Sequence, residues 1–344
     1  MRNFLLTLLV LSSLTFTNSY AQTSRTAGSY MNSITESLNQ TKDETWQYLK
    51  AITRDKGARK VEAKRQKLLV EIRNTKTKVH SLGNFQKDDS LKNAALNYLD
   101  LHYIVLKEDF DKILDMEDIA EQSYDNMEAY LLAKEMANDK LHTAYSELIS
   151  AQEKFAKSHN IILLSAEKDK TTEKIIKASE TLKYYNVIYL IFFKSYKQEA
   201  YALAALQSSD INGFEQNISA LASNSVEGIE KLKSLEAFQG DPNLITAARN
   251  ILQFYNDEAK HDFPAQTDFF IKKDEFEKAK KTYDSKSKKD VNQIDVDQYN
   301  KAVSDFNKAV NLSNQLNNSS YAKRTNKLSD WNNMVGKFFD THAR

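Results

Sequence analysis

Apolar residues recur along the chain at three- and four-residue spacing, and a two-residue alternation is sustained nowhere. That period lines one face of a helix, so the pattern predicts an all-α fold. It places helices over 27–55, 58–82, 88–120 and 123–160, and again over 167–207, 211–238, 241–282 and 293–341. Links of two to six residues favour antiparallel neighbours, hence two tandem up-and-down four-helix bundle units, 22–163 and 164–344. Pro264 is expected to kink or break the seventh helix, and the Asn/Ser-rich stretch 311–320 to bend or interrupt the last.

The chain also repeats itself. Residues 78–110 align without a gap to 231–263, an offset of 153, and 14 of the 33 pairs are identical. The shared pattern runs SLxxFQxDxxLxxAAxNxL and closes on KxDF, at Lys107-Glu108-Asp109-Phe110 and Lys260-His261-Asp262-Phe263. An ordered run of Phe, Gln and Asp is not low-complexity bias, so it marks a duplicated unit. Phe85-Gln86 and Phe238-Gln239 are read as closing one helix, and Asp88 or Asp241 as capping the next, with Pro242 at its first position. The stripe Leu91, Ala94, Ala95, Tyr98, His102, Val105 then forms the buried face, matched by Leu244, Ala247, Ala248, Ile251 and Tyr255. Phe110 and Phe263 are expected to anchor the core.

The first residues, MRNFLLTLLVLSSLTFTNSYAQ, change the picture of where this chain works. Arg2 precedes an apolar run from Phe4 to Phe16, and Ser19-Tyr20-Ala21 supplies small residues before Gln22. That is a signal peptide over 1–21 with cleavage near Ala21, too short for a comfortable membrane span. The second apolar run, Val187 to Phe193, is shorter still and flanked by Lys183, Lys194, Lys197 and Glu199, so it reads as a buried helix. The expectation is an exported protein, in the periplasm or at the cell surface, with no transmembrane segment in the mature chain.

Composition narrows the chemistry. With no cysteine, thiolate metal sites, iron–sulfur clusters, disulfides and a Cys nucleophile are excluded, and seven glycines leave little for phosphate loops. Lys plus Arg number 48 against 47 Asp plus Glu, which gives no overall pull toward nucleic acid. Charge is nevertheless segregated: residues 54–78 carry ten bases against three acids, and 100–128 ten acids against two bases. Helices of opposite sign that follow one another are read as complementing each other.

Six histidines stand at 80, 102, 142, 159, 261 and 342, and none forms HExxH. Glu258 and His261 have the ExxH spacing of di-iron bundles, with Asp139 and His142 a weaker echo. A full site needs two such helices and two further glutamates, so Glu258 and His261 are weak metal candidates only, and no catalytic residue or cofactor is assigned. His102 lies on an apolar stripe and reads as a satisfied core histidine. The aromatic run Tyr184, Tyr185, Tyr189, Phe192, Phe193, Tyr196 and Tyr201 reads as a buried helix, or as the wall of a ligand pocket.

The two helical units behind a signal peptide invite comparison with imelysin-like proteins, but the GxHxxE motif of those proteins is missing. In its signal peptide, charge-rich helices and the D-x-x-L-x-x-A pattern at Asp88–Ala94 and Asp241–Ala247, the chain resembles uncharacterised secreted helical surface proteins of Gram-negative bacteria. The resemblance implies an exported location and no assigned enzyme chemistry. The functional expectation is a non-catalytic binding or scaffold protein with an unknown protein partner. The alternative is a periplasmic bundle that holds a small ligand or a metal.

Overall fold

The computed structural model describes residues 26–54, 58–109, 116, 119–163, 170–287 and 289–343. The expected signal peptide, 1–21, and Phe110 lie outside these. The fold is all-α, and no strand occurs among the described residues. In chain order the helices are α1 (Ala27–Thr53), α2 (Ala58–Ser81), α3 (Ser90–Ile104), α4 (Tyr124–Ser158) and α5 (Lys170–Gln207). They continue with α6 (Ile211–Lys233), α7 (Asn243–Asp257), α8 (Phe263–Asp284) and α9 (Gln293–His342). No described helix is long and apolar enough to cross a membrane.

Helix starts follow from local chemistry. Thr26 Oγ1 accepts from the Ser29 amide at 3.1 Å, Ser123 Oγ from Asn126 at 3.1 Å, and Asp210 Oδ1 from Gly213 at 3.0 Å. Each satisfies an amide that the first helical turn leaves without a partner. The helical period then decides what is buried: in α1, Tyr30, Ile34, Leu38, Thr41, Thr45, Tyr48 and Ile52 face inward.

The chain divides into two compact units, 1–187 with 336–344, and 188–335. The boundaries of these units fall inside α5 and α9. A long helix can contribute to two cores along its length, and α5 does so. Tyr185 meets Phe339 with ring centroids 5.0 Å apart in the first unit, and Phe192 stacks on Trp331 at 4.7 Å in the second. Of the aromatic run, Tyr185, Phe192 and Phe193 are buried, Tyr184, Tyr189 and Tyr196 are half-buried and Tyr201 is exposed.

The first unit packs α1 on α2, α2 on α3 and α3 on α4. Tyr30, Phe85 and Phe155 cluster at one end of it, with the Tyr30 hydroxyl donating to the Gly83 carbonyl at 3.0 Å. The basic helix α2 does reach acids on its neighbours, Glu44 from Lys67 at 2.6 Å and Asp100 from Lys76. In the second unit α6 packs on α7, and Gly228 sits against Leu252 and Ile191.

Four expectations are corrected. Phe85-Gln86 and Phe238-Gln239 do not close helices; they lie in tight turns after α2 and α6, where Phe85 pairs with Asp88 and Phe238 with Asp241. Gln86 and Gln239 take left-handed φ values of 55° and 50°, which no helix continues. Pro242 precedes α7 rather than opening it, and Asp241 Oδ1 accepts from the Asn243 amide at 2.9 Å, as Asp88 Oδ1 does from Ser90 at 2.9 Å.

The stretch 311–320 does not interrupt α9. Ser319 Oγ donates to the Leu316 carbonyl of its own helix at 3.1 Å, but other polar side chains of the stretch reach α8 and the segment before it. Ser313 Oγ donates to Gln266 Oε1 at 2.6 Å, and Gln266 Nε2 donates to the Ser313 carbonyl at 3.2 Å and Asn317 Oδ1 at 3.0 Å. With Ser320 bonded to Asp262, the small polar residues mark a contact face rather than a break.

Pro264 does not end its helix either. It is the second residue of α8, and the five residues before that helix, Glu258–Asp262, form a π-helical segment in which the Phe263 amide reaches back to the Glu258 carbonyl. The proline is not its sole cause, because Val105–Asp109 forms the same segment 153 residues earlier, where the position of Pro264 is held by Asp111.

Candidate functional site

The two π segments match residue for residue, and their surroundings do not. In the first, Val105 and Leu106 are buried apolar residues, and buried Arg65 donates to the Leu106 carbonyl at 2.5 Å. In the second, the position of Val105 is taken by Glu258, which is 1% exposed. A wider π turn re-aims side chains relative to an α-helix, which is why such segments recur at functional sites.

Glu258 meets a buried charge network. Arg324 on α9 donates from Nη2 to Glu258 Oε1 and from Nε to Glu199 Oε1 on α5. Glu199 is 2% exposed, so two carboxyl groups share one guanidinium away from water. Burial, and then the neighbouring Glu199 carboxylate, push the Glu258 acid up to about 9. It therefore holds its proton at neutral pH, because the interior disfavours its ionised form. The Tyr255 hydroxyl lies beside them without a hydrogen-bond partner, its ionisation pushed well upward by burial and by Glu199.

This network backs a groove of about 620 Å³. One wall is a single face of α7 continued into the π segment: Asn250, Gln253, Asp257 and Glu258, then His261 and Asp262. The opposite wall is Lys323 and Lys327, one turn apart on α9. Asp262 Oδ2 accepts from Ser320 Oγ at 2.7 Å and lies 3.7 Å from Lys323 Nζ. Asp257 and His261 are exposed at the rim.

Glu258 and His261, the pair with ExxH spacing, thus both line the groove, but not as that motif requires. A π turn rotates residues three apart away from one another relative to an α turn. Glu258 points to Arg324 in the interior while His261 is exposed. Among the described residues, no group of three or more His, Asp or Glu side chains is placed to hold a metal ion. Asp139 and His142 sit on α4 in the other unit.

Two further histidines, His159 and His102, lie in the packing of the first unit. His159 Nε2 lies 2.9 Å from Asp88 Oδ2 and its ring packs on Phe155 at 4.4 Å, which ties α4 to the turn after α2. His102 is a core residue, 2% exposed, but not a satisfied one: neither ring nitrogen has a hydrogen-bond partner, and burial lowers its pKa to about 4. Phe263 is buried against Phe214 at 5.4 Å, as a core anchor should be.

Sequence reasoning missed Glu199 and Arg324. The signal was an isolated acid in an aromatic helix and an arginine in an Asn/Ser/Lys-rich one, 125 positions apart. Nothing in periodicity pairs such residues. Compared with known proteins, the chain matches no family model, no curated protein and no solved structure.

Proposed function

We propose that this chain is an exported, non-catalytic binding protein and that the groove between α7 and α9 of its second unit receives the ligand. The observation that carries the reading is Glu258 at the place of Val105. The same local framework forms with an apolar residue there, so its fold does not demand a buried carboxyl group. Burying one is costly unless it is paired, and this one comes with Arg324 and Glu199 and borders a polar groove. Pockets of 300–1,000 Å³ with a few convergent polar groups are the usual form of a small-molecule site. The signal-peptide pattern of 1–21 supports export to the periplasm or cell surface.

Native mass spectrometry of the chain purified from the exported fraction of its own host tests both parts. The expected species begins at Gln22 and carries a mass excess that a Lys323→Glu/Lys327→Glu variant loses. A chain that keeps Met1 overturns export, and a bare mass for the wild type overturns the groove.

The scaffold reading has one observation of its own. Phe269, Phe276 and Tyr283 stand seven residues apart on α8, and Phe276 stacks on Phe306 at 5.1 Å while Tyr283 stacks on Tyr299 at 4.9 Å. These rings stay half-buried, and a heptad seam of that kind suits a partner helix. Photo-crosslinking from position 276 in intact cells should yield one dominant protein adduct if this face is used.

We also propose that 78–110 and 231–263 descend from one duplicated unit. The matching turns, left-handed glutamines and π segments support it. A chain in which 78–104 replaces 231–257 should still fold cooperatively.

A further inference from the structure

The groove has charged walls of opposite sign. Asp257 and Asp262 lie on the α7 and π side, Lys323 and Lys327 on the α9 side, and the two pairs balance. A simple anion would gain from one wall and be repelled by the other, and a simple cation likewise. A ligand of zero net charge with separated charges is attracted by both. The Lys323–Asp262 pair is long, at 3.7 Å, and half open to solvent. Solvent-screened pairs of this kind are weak, so a ligand can enter between their members at little cost. Asn250 and Gln253 add amide donors and acceptors along the same face.

The turn of the first unit carries only part of this set. Ile104 stands where Asp257 does, Val105 where Glu258 does and Glu108 where His261 does. Asn97 and Asp109 do match Asn250 and Asp262, so Gln253, Asp257, Glu258 and His261 are the lining residues particular to the second copy of the repeat.

We infer that the groove binds a small zwitterion, an amino acid or a short peptide, with its ammonium group on Asp257 and Asp262 and its carboxylate on Lys323 and Lys327. The inference rests on the groove being the binding surface. Its volume is ample for a dipeptide, and Glu258, neutral behind the acidic wall, leaves that wall's charge to the two aspartates.

Calorimetric titration of the full mature chain tests this with four probes: alanyl-alanine, its N-acetylated form, its C-terminal amide, and a neutral disaccharide. Alanyl-alanine should bind, and each capped form should bind at least tenfold more weakly, because each loses the partner of one wall. The Lys323→Glu/Lys327→Glu variant, checked for folding by circular dichroism, should prefer the amide to alanyl-alanine. Equal binding of a capped form overturns the inference, as does binding of the disaccharide alone. If the host-purified protein carries a groove-dependent mass excess but alanyl-alanine does not bind, the binding surface stands and the zwitterion falls. If neither is seen, both fall.

Discussion

Val105 and Glu258 open two matching π segments 153 residues apart, one with an isopropyl group and the other with a carboxyl group, and both are buried. The comparison separates what the turn needs, a side chain that fills the interior, from what the second unit adds. It also makes the added group open to tests that do not depend on knowing a ligand.

The first concerns the proton on Glu258. Its folded-state pKa of about 9 stands above the unfolded value near 4.5, so its contribution is fully present below pH 4.5 and is lost as pH rises toward 9. Glu258→Gln, which mimics the protonated form, should flatten the fall in stability across that window and raise the melting temperature at pH 8. Thermal melts at pH 5, 7 and 8.5 read the effect. An unchanged pH slope overturns the assignment.

Arg324 holds two buried carboxyl groups, and removing it leaves both. Arg324→Met should destabilise the protein by about 3–5 kcal/mol, the usual penalty for orphaning one side of a buried ion pair. The triple variant Glu199→Leu, Glu258→Val, Arg324→Met should recover most of that loss. Urea unfolding at pH 7 measures both, and equal losses in the two variants would contradict the network.

His102 acts in the acid range. Burial depresses its folded pKa to about 4 against an ordinary 6.5, so the unfolded chain binds the proton more readily. Stability is intact above pH 6.5 and falls as pH drops toward 4. His102→Leu should remove that part of the acid sensitivity and, with no unpartnered imidazole in the core, melt higher at pH 5. A variant as acid-labile as the wild type would refute this.

Gly228 tests the close approach inside the second unit. A Cβ there would lie 2.9 Å from Leu252 Cδ1 and 3.2 Å from Ile191 Cγ2. The leucine methyl can give way, and alanine gains about 1 kcal/mol of helix propensity, so Gly228→Ala should be near neutral. Gly228→Leu should cost about 1–3 kcal/mol by overpacking. Chemical denaturation of the pair separates crowding from propensity.

Much of this architecture can be read from the chain alone. Helix type and most helix ends follow from periodicity and caps, because both are local: Thr26, Ser123 and Asp210 bond to amides three residues away. The repeat is likewise a matter of one-dimensional order, and the matching turns at Gln86 and Gln239 lie where it places them. Local signals also misled where a residue's use is not local. Pro264 looks like a break but rides on a π turn, and the Asn/Ser stretch looks like an interruption but bonds to Gln266 on another helix. His102 reads correctly as core, yet its lack of hydrogen-bond partners depends on neighbours that periodicity does not name.

The site shows the same division. Spacing drew attention to Glu258 and His261, and both do lie at the groove, but as a buried acid and an exposed imidazole instead of a shared metal site. Spacing assumes an α turn, and the chain took a wider one there. Glu199, Glu258 and Arg324 come from three helices, and only packing brings them together. Their energetics depend on burial and mutual distance, which are properties of the folded interior and have no counterpart in the order of residues along the chain.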